Sequence, residues 1–326
     1  LKAAGHELLI VSSGAIAIGS AALRLDKRRA GLADLQASAA AGQARLVDAY
    51  QESLGRHDVM AAQVLLTPGD TEDRRRFLNA RATLNRLVDL GVVPIVNEND
   101  TVATEEIRYG DNDRLAARVS QLVMADALIL LSDVDGLYDA DPTQSATATH
   151  IPQVEKITED IVSIAGETRS DVGSGGMATK VQAARIATFA GCSTVITHGG
   201  IEKPLSALAA QCRHTVFVAQ GTPAAARKQW LAGALEVCGE LRIDDGAATA
   251  LQNGKSLLPV GVTSINGEFQ RGDVVSLVNS AGVEIGRGLA EYSSQEAQSL
   301  LGQRSEHSES LLGYRGRSVI VHRDEL

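Results

Sequence analysis

Aromatic residues are scarce: Phe, Trp and Tyr together make up 3% of 326 positions. That argues against a stacking surface of the kind that binds single-stranded nucleic acid. Positive charge is also in short supply. Lys and Arg number 31 against 40 Asp and Glu, a net charge of −9, opposite to the usual balance of a polyanion-binding protein. A small anion can still bind, but through local donors rather than the overall field. The three cysteines, Cys192, Cys212 and Cys238, are odd in number and far apart. With no CxxC pair and no Cys/His cluster at metal spacing, neither a disulfide framework nor a structural zinc site is supported. A reducing cytoplasm is the expected compartment. No apolar run approaches the ~18 residues that span a bilayer, and no signal peptide is visible, so no membrane association is expected. Proline is rare, at 7 residues.

What the chain does have is 44% hydrophobic residues and 31 glycines, enough for Ala/Val/Leu/Ile layers joined by tight turns. Up to about residue 225, short apolar runs alternate with Ala-rich stretches. Ile10-Val11 ends at Ser12-Ser13-Gly14, and Val92-Val93-Pro94-Ile95-Val96 ends at Asn97. Ala127-Leu128-Ile129-Leu130-Leu131 ends at Ser132-Asp133, and Thr194-Val195-Ile196-Thr197 at His198-Gly199-Gly200. Such runs read as strands buried on both faces. Between them Leu35, Ala39, Leu46, Tyr50 and Leu54 fall on one helical face, and residues 114–124 and 178–190 are helix-prone. The predicted class is α/β, a mainly parallel sheet between helices. Ligands then bind beyond the carboxyl ends of the strands, where the polar closures lie. From about residue 239 short strands and turn signals (Asn253-Gly254, Asn266-Gly267, Arg271-Gly272-Asp273) predict a small β-rich domain. The predicted organisation is a first domain over 1–225, a helical connector over 226–238 carrying Trp230, and a second domain over 239–326.

Four segments carry chemistry. Ser12-Ser13-Gly14-Ala15 is a strand, a turn and a helix start, where free N–H groups attract an anion; a plain serine N-cap is the alternative. Residues 97–100 (Asn-Glu-Asn-Asp) and Gly110-Asp111-Asn112-Asp113 put four carboxylates and three amides within seventeen residues. Folded together they could hold an ammonium group, a lysine or a metal shell; apart, they are a hydrophilic loop with an Asp cap. Ser132-Asp133-Val134-Asp135-Gly136 leaves a strand as a loop able to accept from ribose or adenine donors, or is a bare strand exit. Gly173-Ser174-Gly175-Gly176-Met177-Ala178-Thr179-Lys180 enters a helix, its glycines and Lys180 suited to an anion. A glycine linker with a surface lysine is the alternative, since neither GxxxxGK[ST] nor GxGxxG is present. The seven histidines show no metal-binding or triad spacing. Lys27-Arg28-Arg29 and Arg74-Arg75-Arg76 read as solvated faces.

In this order the segments SSGAIAIG, FLNARATLNRL, PIVNENDTVAT, IRYGDNDRLAA, LLSDVDGLYDADP and GSGGMATKVQAA are recognisable. Over nearly its whole length the chain resembles the glutamate 5-kinases of the amino acid kinase family, which carry a C-terminal PUA domain. SDVDGLYDADP and GGMATK are shared with carbamate, aspartate and acetylglutamate kinases; PIVNENDTVAT with GDND points to the glutamate enzymes. The resemblance implies a three-layer αβα sandwich followed by the PUA domain. It implies transfer of phosphate from ATP, with Mg²⁺, to the γ-carboxylate of L-glutamate, the first step of proline biosynthesis. Ser13, Gly14, Asp100 and Asn112 would contact glutamate, Asp100 accepting from its α-ammonium. Ser132, Asp133, Ser174, Gly175, Gly176, Met177, Ala178, Thr179 and Lys180 would line the nucleotide. Lys180 would stabilise the transferring phosphoryl group, Asp113 would orient the catalytic lysines, and Asp111 is a candidate near the metal. Proline as feedback inhibitor and a homodimer or homotetramer are further implications.

The resemblance also implies a strand ahead of Leu1, carrying a second lysine and a Gly-Ser-Ser turn. The expectation is therefore a truncated form, which puts the activity of the 326 residues by themselves in question. GSGG replaces the commoner GTGG and keeps a hydroxyl. An aspartate or acetylglutamate kinase is the competing enzyme. An RNA-binding PUA protein with a degenerate kinase domain is the competing reading from another class. Residues 239–326 hold eight Lys and Arg against twelve Asp and Glu, the wrong sign for an RNA footprint, so no nucleic acid is expected.

Overall fold

The computed structural model describes residues 1–26, 29–102, 111–145, 147–167, 176–226, 237–303, 308–314 and 316–326. These form two compact units, residues 1–223 and 224–326. Lys27, Arg28, Gly110, Gly173, Ser174, Gly175 and Trp230 lie outside the described residues, as does the side chain of Asp111.

In the first unit, β1 (Ile10–Val11), β2 (Ala61–Leu66) and β3 (Val93–Glu98) form a parallel sheet in the order β1-β3-β2. Strand side chains alternate between faces. Val93 and Ile95 therefore pack on one side with Tyr50 and Leu54 of α2 (Leu32–Gly55). Val96 packs on the other with Leu84 of α4 (Arg74–Asp89) and with Leu115 and Val119 of α5 (Asp111–Leu122). Helices on both faces of a parallel sheet make three layers. α4 starts where Asp73 accepts from the Arg76 N–H at 2.8 Å. α5 begins three residues before the helical pattern predicted, so Asn112 and Asp113 sit in its first turn.

A second sheet runs β4-β8-β9-β7, formed by β4 (Ala127–Ser132), β7 (Gln153–Val154), β8 (Ser193–His198) and β9 (His214–Phe217). β4 with β8 and β7 with β9 are parallel, and β8 with β9 is antiparallel. A short hairpin, β5 (Leu137–Tyr138) and β6 (His150–Ile151), stands apart from it. Val181, Ala183, Ala184 and Ala187 of α7 (Met177–Phe189) are buried in the core under this sheet with Ala116 and Ala117 of α5. Small alanine side chains let those two helices approach closely. Val11 packs against this core and also against the core of Val96 and Leu115, which ties β1 to both sheets.

One helix pair has still less room. A Cβ on Gly19 of α1 (Ala15–Leu23) would sit 1.7 Å from the Ser38 carbonyl oxygen, and one on Gly42 of α2 would sit 1.8 Å from that of Ala15. Glycine at both places lets α1 and α2 meet backbone to backbone.

In the second unit, residues 262–266, 239–243, 274–278 and 284–289 are neighbouring strands in that order, with one parallel pair between antiparallel ones. Leu241, Ile243, Phe269, Leu277, Tyr292 and Val321 are in its core. Gly254, Gly267 and Gly272 all have positive φ, the backbone state that the turn signals required. Glu291 is buried and ion-paired to Arg271 at 3.5 Å and to Arg317. The side chain of Ser293 accepts from the Glu296 N–H and caps the helix over Ser294–Leu300.

Candidate active site

The end of β1 and the starts of α5 and α7 meet. Gly14, at φ 109°, is the N-cap of α1 and provides no side-chain cap. Ser13 is thus not a capping serine; its hydroxyl oxygen accepts from Asn112 Nδ2. The same Nδ2 lies 3.4 Å from the Ser12 carbonyl oxygen and 3.3 Å from Asn97 Oδ1. The Ser12 hydroxyl lies 3.0 Å from the Tyr50 hydroxyl. This lattice of amides and hydroxyls holds the turn after β1 against the first turn of α5.

The next residue on α5 reaches the other way. Asp113 Oδ2 accepts from Lys180 Nζ at 3.1 Å and from Thr179 Oγ1 at 2.9 Å. The Lys180 side chain is 9% exposed and that of Asp113 19%. Burying an ammonium group is costly without an anionic partner, and Asp113 supplies one. The single O–H of Thr179 is shared with the Gly176 carbonyl, 2.8 Å from Oγ1, in the first turn of α7, where Met177 and Ala178 also lie. That turn has N–H groups not used within the helix, a natural place for phosphate oxygens.

Ser132 and Asp133 close β4. The Ser132 hydroxyl donates to Asp133 Oδ1 at 3.0 Å, and its carbonyl accepts from the Gly199 N–H at 2.7 Å. His198 Nδ1 lies 3.1 Å from that carbonyl. Asp133 itself is exposed. Asp100 is buried in the short 3₁₀ turn Asp100–Val102, three residues beyond Asn97.

Of the residues singled out in the sequence, Ser13, Asn112, Asp113, Thr179 and Lys180 are therefore joined in one chain of contacts. Ser132 and Asp133 are held to the β8 closure. Gly14 and Asp100 sit on the connections that flank Ser13 and Asn97. Ser174, Gly175 and the side chain of Asp111 lie outside the described residues. Sequence reasoning named Tyr50 only on a helical face and His198 only at a strand closure, and did not name Gln43 at all. Gln43 had a signal: it interrupts the apolar face of Ala39, Leu46 and Tyr50 on α2, and a polar residue at a core-facing position needs a reason.

The amino acid kinase family model matches residues 1–198, and the PUA domain model matches residues 239–312. Glutamate 5-kinases of Rhizobium etli and Rhizobium johnstonii are 52% and 53% identical to this chain over 326 residues, 100% of this chain and 84% of each relative. The Glutamate 5-kinase of Sinorhizobium fredii is 52% identical over the same span and 83% of its own length. A family model that spans well over half the sequence and relatives this similar along all of it lead to one statement: the chain belongs to the amino acid kinase family and carries a PUA domain after its kinase unit.

Proposed function

We propose that this chain transfers the γ-phosphate of ATP to the γ-carboxylate of L-glutamate, giving L-glutamyl 5-phosphate, the first step of proline biosynthesis. One observation carries the reading: Asn112 and Asp113, adjacent in the first turn of α5, reach to two different elements. Asn112 reaches Ser13 and Asp113 reaches Lys180. An acceptor bound at the Ser13 side and a phosphate bound at the α7 side would thus be held against one another. The 52% identity to named glutamate 5-kinases supports glutamate as that acceptor.

The chemistry asks little covalent help of the protein. A carboxylate is already ionised at neutral pH, so no general base is needed. Its oxygen attacks the γ-phosphorus, and ADP leaves with the electron pair of the broken P–O bond. The difficulty is that two anions must be brought together, which calls for positioning and neutralisation of charge. Lys180 places its ammonium on the transferring group, and Asp113 with Thr179 holds Lys180 in place. The first turn of α7, from Gly176 through Met177 and Ala178, offers N–H groups to the phosphates, with Ser174 and Gly175 preceding it. Ser132 and Asp133 take the nucleoside side. Ser13, Gly14 and Asn112 hold glutamate, and Asp100 accepts from its α-ammonium.

Mg²⁺ in this reading is carried by the nucleotide, whose phosphates supply several of its oxygen ligands. Among the described residues no three His, Cys, Asp or Glu side chains gather to hold a metal by themselves. Asp113 is already engaged by Lys180 and Thr179, and the side chain of Asp111 lies outside the described residues. The residues on hand thus suit a metal that arrives with ATP, where it shields phosphate charge; the protein steps stated above are those of its own side chains.

Three further properties belong to the same reading: proline as feedback inhibitor, a homodimer or homotetramer, and a cytoplasmic location. They rest on the resemblance to glutamate 5-kinases; in addition, no helix among the described residues is long and apolar enough to cross a membrane. ATP turnover by the intact protein with glutamate, aspartate and N-acetylglutamate, compared side by side, tests the substrate. Turnover with glutamate alone is expected; faster turnover with either other acid would overturn it.

A further inference from the structure

Asn97 closes the row of β3 side chains that points at α2: Val93, Ile95, Asn97. It is 2% exposed, and its Nδ2 donates at 2.8 Å to Oε1 of Gln43, itself 8% exposed. A backbone group sets the direction of this bond. The Glu98 N–H, which can only donate, lies 2.9 Å from Asn97 Oδ1, so the oxygen of the Asn97 amide must be on that side. Its nitrogen therefore faces Gln43, whose oxygen must face it in turn. On the other side Asn97 Oδ1 also receives Asn112 Nδ2 at 3.3 Å. With its nitrogen thus engaged, Asn112 turns its Oδ1 the other way. That oxygen is buried without a hydrogen-bond partner, as is Gln43 Nε2. A run of three amides, Gln43–Asn97–Asn112, thus crosses from α2 over the end of β3 to α5. It ends in an unsatisfied acceptor on a residue assigned to glutamate. Burying such an atom is costly unless something supplies a proton donor.

We infer that Gln43 is a positioning residue for the amino-acid substrate. Its Oε1 anchors the Asn97 amide, and Asn97 holds Asn112 so that Asn112 Oδ1 is kept for a donor on the ligand, an ammonium group. Gly42, the residue preceding Gln43, sits where α2 meets α1 backbone to backbone. Without an acceptor at position 43, Asn97 has no good arrangement. It either keeps a buried NH₂ unpaired or turns over and sets NH₂ against the Glu98 N–H and Asn112 Nδ2. In both cases Asn112 loses a fixed partner. The inference rests on the glutamate reading above and adds a residue and a role to it.

The test is calorimetric binding of L-glutamate and of ATP to the intact protein and to two variants of nearly equal side-chain volume, each checked for folding by its thermal melt. Gln43→Met removes the acceptor; Gln43→Glu keeps an acceptor oxygen but removes the Nε2 donor. The expected result is at least a tenfold loss of glutamate affinity in Gln43→Met, with ATP affinity changed less than twofold. Gln43→Glu is expected to bind glutamate within threefold of the parent or more tightly. The preference for glutamate over glutarate, which lacks the ammonium group, should shrink in Gln43→Met and persist in Gln43→Glu. Parent-like binding by both variants would reduce Gln43 to packing. Equal losses in both would move the role to a direct contact by Nε2. Either outcome overturns the positioning role, as does failure of Gln43→Glu when Gln43→Met does not fold. If the parent protein itself binds no glutamate, the substrate reading falls first, which keeps the two failures apart.

Discussion

Lys180 Nζ lies 3.1 Å from Asp113 Oδ2, and Asp113 follows directly on Asn112, whose amide is bonded to Ser13. Residues 67 and 99 positions apart in the chain are thereby joined through a single turn of α5. In the proposed reading that turn spaces the two reactants, with the nucleotide on the α7 side and the acceptor at the end of β1. Mutations that disturb the pair should damage transfer more than binding.

Lys180→Met is expected to lower phosphoryl transfer by about 100-fold or more, the scale for loss of one charge-stabilising donor. Glutamate affinity should change by only a few fold. Asp113→Asn should follow in the same direction with a smaller loss, since the lysine is retained but loses its carboxylate anchor. Steady-state kinetics with separate binding titrations checks both. Equal loss of binding and turnover would place Lys180 in the structure rather than the reaction.

Asp100→Ala should raise the KM for glutamate far more than the KM for ATP. A free α-ammonium needs a carboxylate partner, whereas an N-acylated substrate would not. The reverse pattern would move Asp100 to the nucleotide side.

Much of this was legible in the sequence, and the reasons are specific. The run ending at Val96 is continuous, apolar and buried along its length, the mark of a strand covered on both faces; the run ending at Leu131 forms a strand too, but Ala127 and Leu131 are exposed, so its burial on both faces was not borne out. Lys180 stood out because glycines and a helix start preceded it. Gln43 did not stand out, because its importance depends on which way β3 turns its odd-numbered side chains, a fact of pairing rather than of pattern. The strand Ala61–Leu66 was equally silent: AAQVLL breaks both strict alternation and a continuous apolar run. Sequence likewise predicted a parallel sheet but not its separation into two ladders, which only hydrogen-bond register reveals, nor that Val11 packs against the cores of both.

The backbone contact between α1 and α2 makes Gly42 a stability determinant. Gly42→Ala places a methyl where the Ala15 carbonyl oxygen already is, 1.8 Å away. Overpacking of this kind costs about 1–3 kcal/mol, and more where backbone must move. The thermal midpoint should fall by several degrees in a scan of the intact protein, and glutamate affinity should fall with it because Gln43 is displaced. An unchanged midpoint would show that the helices separate freely.

Cys192 should be chemically silent in the native protein. Burial pushes its thiol up from an ordinary value of 9.0 to about 11, so at pH 8 roughly one thiol in a thousand is ionised. An aromatic disulfide reagent should leave Cys192 unmodified at pH 8 and label it once urea is added, read by peptide mass. The unfolded chain gives up this proton near its ordinary value while the folded one holds it to higher pH. The Cys192 contribution to stability is therefore complete below about pH 9 and is lost as pH rises through 11. Rapid labelling in the native state would contradict the packing described here.

The most direct test of the account is the identity of the phosphorylated product. Hydroxylamine added to the intact protein with ATP, Mg²⁺ and L-glutamate traps an acyl phosphate as a hydroxamate. The account predicts glutamate γ-hydroxamate, formed in step with ADP and lost in Lys180→Met. The α-hydroxamate, or ADP release with no hydroxamate at all, would contradict it.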